Sequence, residues 1–241
     1  VLIRAGLQAI VNVYDLAALE AALKIKETYG AEIHVFTMGP QKAESVLREA
    51  FAMGADEGFL ICDKAFAGAD VLATSYTLMQ AIKSAGDYDL ILCGKQTTDG
   101  DTAQVGPQIA EKLHLPQVTY AAVIQKDGNT ITVKRMLEDG YMTIKVQTPC
   151  LITCIKELNA PRYMSVGGIY ECYSKPYEIF DYNTLKDDPL IDPTTIGLKG
   201  SPTNVYKSFS PPVKGAGMMM EGADKATVEK LVSILNDKHI I

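Results

Sequence analysis

Missing from this chain are a C-x-x-C pair, a G-x-G-x-x-G or G-x-x-x-x-G-K-[ST] glycine fingerprint, and any apolar run near the roughly 18 residues a membrane helix needs. The cysteines Cys62, Cys93, Cys150, Cys154 and Cys172 are odd in number. All but Cys172 fall in apolar, strand-like runs, where a thiol reads as a small buried hydrophobe rather than a redox or metal group. Histidine is equally sparse. His34, His114 and His239 are too scattered in sequence to suggest a metal site or triad, and no nucleophile and base stand together, so no catalytic or metal-ligating residue is assigned. Basic patches are absent too, and a net charge of −6 argues against nucleic acid as the main partner. With no signal-peptide pattern and no membrane insertion, a soluble cytoplasmic protein is expected. The chain starts at Val1 rather than Met, so upstream residues, a first strand among them, are expected.

What is present is an ordinary globular composition, 47% hydrophobic and 22% charged over 241 residues, enough for one or two domains with a real core. The most informative stretch is Leu90 to Pro107. Asp89 to Cys93 has the content of a buried strand, Gly94 ends it, and a polar turn leads into a helix whose expected cap is Asp101 or Thr102. Strand, loop and helix start together present free backbone N–H groups and a positive dipole end to an anion. This loop is therefore a candidate seat for a phosphate or diphosphate, although the same Gly, Asp and Thr content also serves plain turn chemistry. Lys95 and Gln96 add a cation and an amide, and Thr97, Thr98, Thr102 and Gln104 add short-range donors.

Around that stretch, strands and helices alternate. Helices are expected over Asp15 to Tyr29 with Asp15 as N-cap, Gln41 to Met53 and Asp70 to Ala85, and strands over Glu32 to Thr37 and Glu57 to Cys62. Short connections between them imply a parallel sheet with helices on both faces. After Pro116 the pattern changes: Val118 to Lys126, Thr130 to Met136 and Met142 to Thr148 read as strands joined by hairpin turns, and Cys150 to Ile155 as a buried strand. We read these as an antiparallel extension of the same sheet. Asn159 to about Ala223 looks irregular and suited to wrapping a partner, and Asp224 to Lys238 reads as a last amphipathic helix. The expected division is an α/β nucleotide-binding domain over 1–158, including the extension at 118–155, and an arm over 159–241.

Several pieces, in order and spacing, resemble the β-subunit of electron-transfer flavoproteins over essentially the whole chain. They are Asn12-Val-Tyr-Asp15, Thr37-Met-Gly-Pro40, Ala52-Met-Gly-Ala-Asp56, Gly94-Lys-Gln96, Asp99-Gly-Asp-Thr-Ala-Gln-Val-Gly106 and Asn159-Ala-Pro-Arg-Tyr163. The run Val133 to Gly140 through Thr148 to Thr153 looks like the family signature, with Tyr141 where a second acidic or glycine residue is common. The resemblance implies an open, mostly parallel Rossmann-like α/β fold related to adenine nucleotide alpha hydrolases, paired with an α-subunit in a heterodimer. It carries the cofactor pocket onto Asn12, Val13, Tyr14, Asp15, Met38, Gly94, Lys95, Gln96, Thr97, Thr98, Asp99, Gly100, Asp101, Thr102, Ala103, Gln104 and Val105.

The family divides by what that pocket holds. One class keeps structural AMP there and a single FAD in the α-subunit; an electron-bifurcating class keeps a second FAD in the β-subunit. Asp99 to Pro107, Gly68 to Ser75 and Gly200 to Thr203 resemble the second class, and small Gly100 and Ala103 suit a ligand longer than AMP. The resemblance then implies electrons taken from NADH and divided between ferredoxin and an acyl-CoA-type dehydrogenase, with AMP-holding, non-bifurcating transfer as the alternative. It also places partner recognition at Tyr163, Val166 and Ile169, Val166 standing where the family usually has leucine. Met218 to Met220 would fill gaps at the subunit contact.

Overall fold

The computed structural model describes Gly6 and residues 8–186, 192–207 and 209–241. The elements run α1 (Val13–Tyr29), β1 (His34–Met38), α2 (Glu44–Met53), β2 (Glu57–Ile61), α3 (Val71–Ala85), β3 (Leu90–Gly94), α4 (Val105–Lys112), β4 (Gln117–Asp127), β5 (Thr130–Met136), β6 (Tyr141–Gln147), β7 (Cys150–Cys154), α5 (Val166–Glu171), β8 (Glu178–Phe180), α6 (Tyr182–Leu185) and α7 (Lys225–Asp237). The alternating α/β fold with parallel pairing is as expected.

The strands form two hydrogen-bonded sets. One is all parallel, in the order β1-β2-β8; the other runs β3-β7-β4-β5-β6. In the second set β3 and β4 both pair parallel with β7, while β4, β5 and β6 pair antiparallel. The hairpin strands are thus joined to the parallel strands through β4, the expected extension.

Two helices bind these sets together. On α1, Leu19 and Leu23 pack with Leu47, Phe51 and Leu60 beside the first set, while Ala18 packs with Val118, Ile152 and Cys154 of the second. On α3, Ala81 meets Phe59 and Ile61, and Ile82 meets Leu151 and Ile109. Burial of the larger of these apolar side chains, worth about 1.5–3 kcal/mol each, holds the two sets to the helices they share.

Local chemistry explains the boundaries. Gly30, at φ 72°, ends α1 in the left-handed conformation and donates its N–H to Lys26 O. The helix expected from Gln41 opens with a 3-10 turn, Gln41–Ala43, after Pro40. Asp70 caps α3 through Leu72 N and Ala73 N, and its other carboxylate oxygen accepts from Thr203 N and Oγ1 at 3.1 and 2.7 Å. The sequence pieces around Gly68 and Gly200 are therefore one substructure.

The chain divides into two compact units between Asn204 and Val205. Residues 159–186 and 192–204 fold within the larger unit and are less irregular than their composition suggests. The elements there, α5, β8 and α6, have six, three and four residues, too short to register as periodicity, and β8 pairs parallel with β2. In the smaller unit α7 is capped by Asp224, which accepts from Thr227 N.

Candidate functional site

Gly94 ends β3 at a clasp with the start of α1. Its N–H donates to Asp15 Oδ1 at 2.5 Å, and Asn12 Nδ2 donates to Asp15 Oδ2 and to Gln96 O, both at 2.8 Å. Only glycine fits here, because a Cβ at Gly94 would lie 2.8 Å from Asp15 N. Burial pushes the Asp15 carboxyl above its ordinary value, opposed by the bonds from Asn12 and Gly94. The carboxylate is thus engaged in holding helix to strand. Asn12, not Asp15, stands at the N-cap position and makes no capping bond, because its amide is turned toward Asp15 and Gln96. Since both of those partners are acceptors, the amide orientation is set, and Asn12 Oδ1 is left buried without a donor among the described residues.

Beyond the clasp, residues 97–104 form an open loop. Gln96 Nε2 donates to Asp101 Oδ1 at 2.7 Å, and Asp101 N to Thr97 O at 3.0 Å. Asp101 and Ala103 both have positive φ, 51° and 54°, an uncommon backbone for residues other than glycine. These kinks carry the chain past the expected caps. Gln104 takes the N-cap position of α4 and its side chain makes no capping bond, so the helix start retains backbone donors for a ligand. Gly106 presses that start onto the sheet: a Cβ there would lie 2.7 Å from Cys93 Sγ and 2.9 Å from Thr153 Cγ2.

The structure joins Asn12 and Asp15 to Gly94 and Gln96, with Tyr14 and Lys95 alongside. Thr97 to Val105 follow as the loop and the start of α4. Val13 points outward and is exposed, and Met38, at the end of β1, packs against the cluster of Phe59, Ile61 and Phe180.

Sequence reasoning missed Tyr120 and Arg135. Lys95 Nζ lies 5.9 Å from the Tyr14 ring centroid and 5.3 Å from that of Tyr120, and Arg135 Cζ lies 5.9 Å from the latter. Tyr120 sits at a register shift in β4 with φ 57°, its N–H donating to Thr153 Oγ1. Such a bulge redirects a side chain. It leaves no mark on local composition. Arg135 did carry a signal, since it lies within the signature run beginning at Val133.

Burial raises the Cys150 thiol to about 11 and Cys154 to about 12, and lifts Cys93 well above its usual value. They stay protonated, as packing groups. His34, at the amino end of β1, has Glu32 and Glu57 carboxylate oxygens 3.5 Å from Nε2 and Tyr88 Oη 2.9 Å from Nδ1, a grouping its sequence position did not suggest.

A second surface lies on the segment after Arg162. Arg162 grips buried Glu20 through Nε at 2.8 Å and Nη2 at 3.1 Å, and also pairs with Glu27. Ser165 caps α5 by accepting from Gly168 N, and Gly168 sits so close to α2 that a Cβ would lie 2.2 Å from Ala52 O. Anchored this way, the segment turns Tyr163, Val166 and Ile169 outward, 98%, 87% and 45% exposed. No helix among the described residues is long and apolar enough to cross a membrane.

Residues 1–177 match the family model described as the electron transfer flavoprotein domain. The chain is 57% identical to the acryloyl-CoA reductase electron transfer subunit gamma of Anaerotignum propionicum, covering 99% of this chain and 90% of that protein. It is 52% identical to the caffeyl-CoA reductase-Etf complex subunit CarD of Acetobacterium woodii, covering 100% of this chain and 91% of CarD. The electron transfer flavoprotein subunit beta of Thermoanaerobacterium thermosaccharolyticum is 49% identical, with coverage of 100% and 91%.

Proposed function

The chain belongs to the electron transfer flavoprotein family as a β-subunit, and from that premise we propose that it holds FAD at the carboxyl edge of β3. With its α-subunit it takes electrons from NADH and divides them between a ferredoxin-type acceptor and an acyl-CoA reductase or dehydrogenase. The observation that carries the reading is the clasp at Gly94. It leaves a buried, donor-seeking oxygen on Asn12 and a helix start without a side-chain cap on the same edge.

The residues fit such a ligand. Asn12 Oδ1 suits an N–H or O–H of an adenosine moiety, while the amides opening α4 and the Lys95 ammonium suit a diphosphate. When bound, FAD supplies the hydride and single-electron chemistry that no side chain here offers. The chain's own contribution is to seat, orient and shield. Asp15 ties the seat to α1, and Gly106 lets α4 approach β3 and β7. The relatives named for acryloyl-CoA and caffeyl-CoA reductases support a partner that acts on acyl-CoA. Tyr163, Val166 and Ile169 form the docking surface for it, apolar groups held out on a braced segment.

The test is the cofactor content of the purified complex with the α-subunit. Absorption and mass of the released cofactors are expected to give FAD from both subunits. Stoichiometric AMP with a single flavin would overturn the bifurcating assignment and leave a carrier with an inert nucleotide.

A further inference from the structure

Arg135 Nε is buried and has no hydrogen-bond partner among the described residues. An orphaned guanidinium donor costs free energy unless something absent from the chain satisfies it. Neither Arg135 nor Lys95 forms an ion pair with a carboxylate of the described residues, yet both lie within 6 Å of the Tyr120 ring, at 5.9 and 5.3 Å. Two positive groups thus share one aromatic ring without a counter-charge from the described residues. Tyr120 is brought there by a left-handed residue inside a strand, a conformation that needs the support it gets from Thr153 Oγ1. The register places the cluster. Ala121 pairs with Cys154 at the carboxyl end of β7 and with Arg135 on β5, and Lys95 directly follows β3. All three side chains therefore gather at the edge that carries the Gly94 clasp.

We infer that Arg135 and Lys95, assembled around Tyr120, form an anion subsite that holds a phosphate group of the bound nucleotide. The inference rests on the nucleotide reading above and extends it to residues of the hairpin strands. A phosphate matches both cations: the guanidinium fork offers directed donors and the ammonium a mobile point charge. Tyr120 gives the two cations an apolar, electron-rich wall that limits their hydration.

The experiment uses the complex with the α-subunit, freed of endogenous nucleotide, and measures binding of ADP, adenosine and inorganic phosphate by calorimetry. Arg135→Met is expected to weaken ADP by about tenfold or more, as loss of a charge-assisted bond does, and to leave adenosine unchanged. Lys95→Met is expected to act the same way, and it carries the test if the Arg135 variant fails to assemble. Arg135→Lys, which retains charge but not the fork, is expected to fall between. If wild type binds ADP and both Met variants bind it equally well, the inference falls and the nucleotide reading stands. Loss of inorganic phosphate binding with ADP unaffected would assign the subsite to free anion, and equal losses of ADP and adenosine would make Arg135 a structural residue; either overturns the inference. If wild type binds neither ADP nor adenosine, the nucleotide reading falls and takes the inference with it.

Discussion

Replacing Arg162 with methionine isolates the contact that fixes the docking segment. Glu20 is only 3% exposed, and its two oxygens accept from Arg162 Nε, Nη2 and backbone N at 2.8, 3.1 and 3.1 Å. Lys24, the other nearby cation, is 4.0 Å away and sits on the solvent side. Removing the guanidinium strands a buried carboxylate. Because the Arg162 side chain is itself one-third exposed, the cost should lie at or below the usual range for breaking a buried pair, about 2–4 kcal/mol. At about 2–4 °C per kcal/mol for a chain of this size, the midpoint should fall by roughly 4–16 °C.

The dependence on pH has a definite sign. Burial raises the Glu20 pKa, but the bonds and charge of Arg162, with Lys24, outweigh it and hold the carboxyl below its ordinary value. The pair's stabilisation is therefore full above the unfolded carboxylate range and lost as pH falls through the lowered folded value. In Arg162→Met burial is opposed only by Lys24 and the backbone N–H of residue 162, so the stranded carboxyl takes a proton more readily. The gap between wild type and variant should narrow from neutral pH toward about pH 4. Urea denaturation at both pH values reads this directly. Adding Glu20→Met to Arg162→Met should recover much of the loss, because it removes the stranded charge. A midpoint change under about 2 °C, or a double variant no better than the single one, would refute the reasoning.

Gly94→Ala should drive a methyl group into Asp15 and Tyr14, costing about 1–3 kcal/mol and lowering nucleotide content; full cofactor occupancy by absorption would show that the clasp tolerates a wider gap. Gly168→Ala should displace α5 from α2, since its Cβ would lie 2.2 Å from Ala52 O. Cofactor content should hold while reduction of the acyl-CoA partner slows, as stopped-flow kinetics can show. Val166→Asp should leave assembly and cofactor intact and weaken the functional encounter with that partner about tenfold or more; partner reduction at the wild-type rate would remove Val166 from the docking surface.

Much of the architecture follows from local signals. Alternating helical and strand periodicity, glycine after α1, and Asp70 before α3 concern neighbouring residues and backbone geometry, which a short window of sequence contains. The same holds for the loop after Gly94, whose backbone donors follow from strand, turn and helix in succession. The short elements α5, β8 and α6 escaped because they are shorter than the period that would reveal them. Their positions are set by contacts such as Arg48 with the carbonyls of Cys172 and Lys175.

Three-dimensional packing made the other decisions. Asp15 suits a helix cap by residue type, yet its carboxylate closes on a strand end 79 residues later, where a half-buried N–H needs an acceptor. Asp101 likewise suits a cap and instead pairs with Gln96, leaving α4 open. Arg135 and Lys95, distant in sequence, meet at one ring because the pairing of β4 with β7 shifts register around Tyr120, and such a shift depends on how partner strands align rather than on composition. Sequence therefore sufficed for the order of the longer elements and for the strand-loop-helix edge at which binding is proposed. Which donors and acceptors remain free there depended on tertiary pairing, because a polar side chain can be consumed by any partner the fold brings within reach.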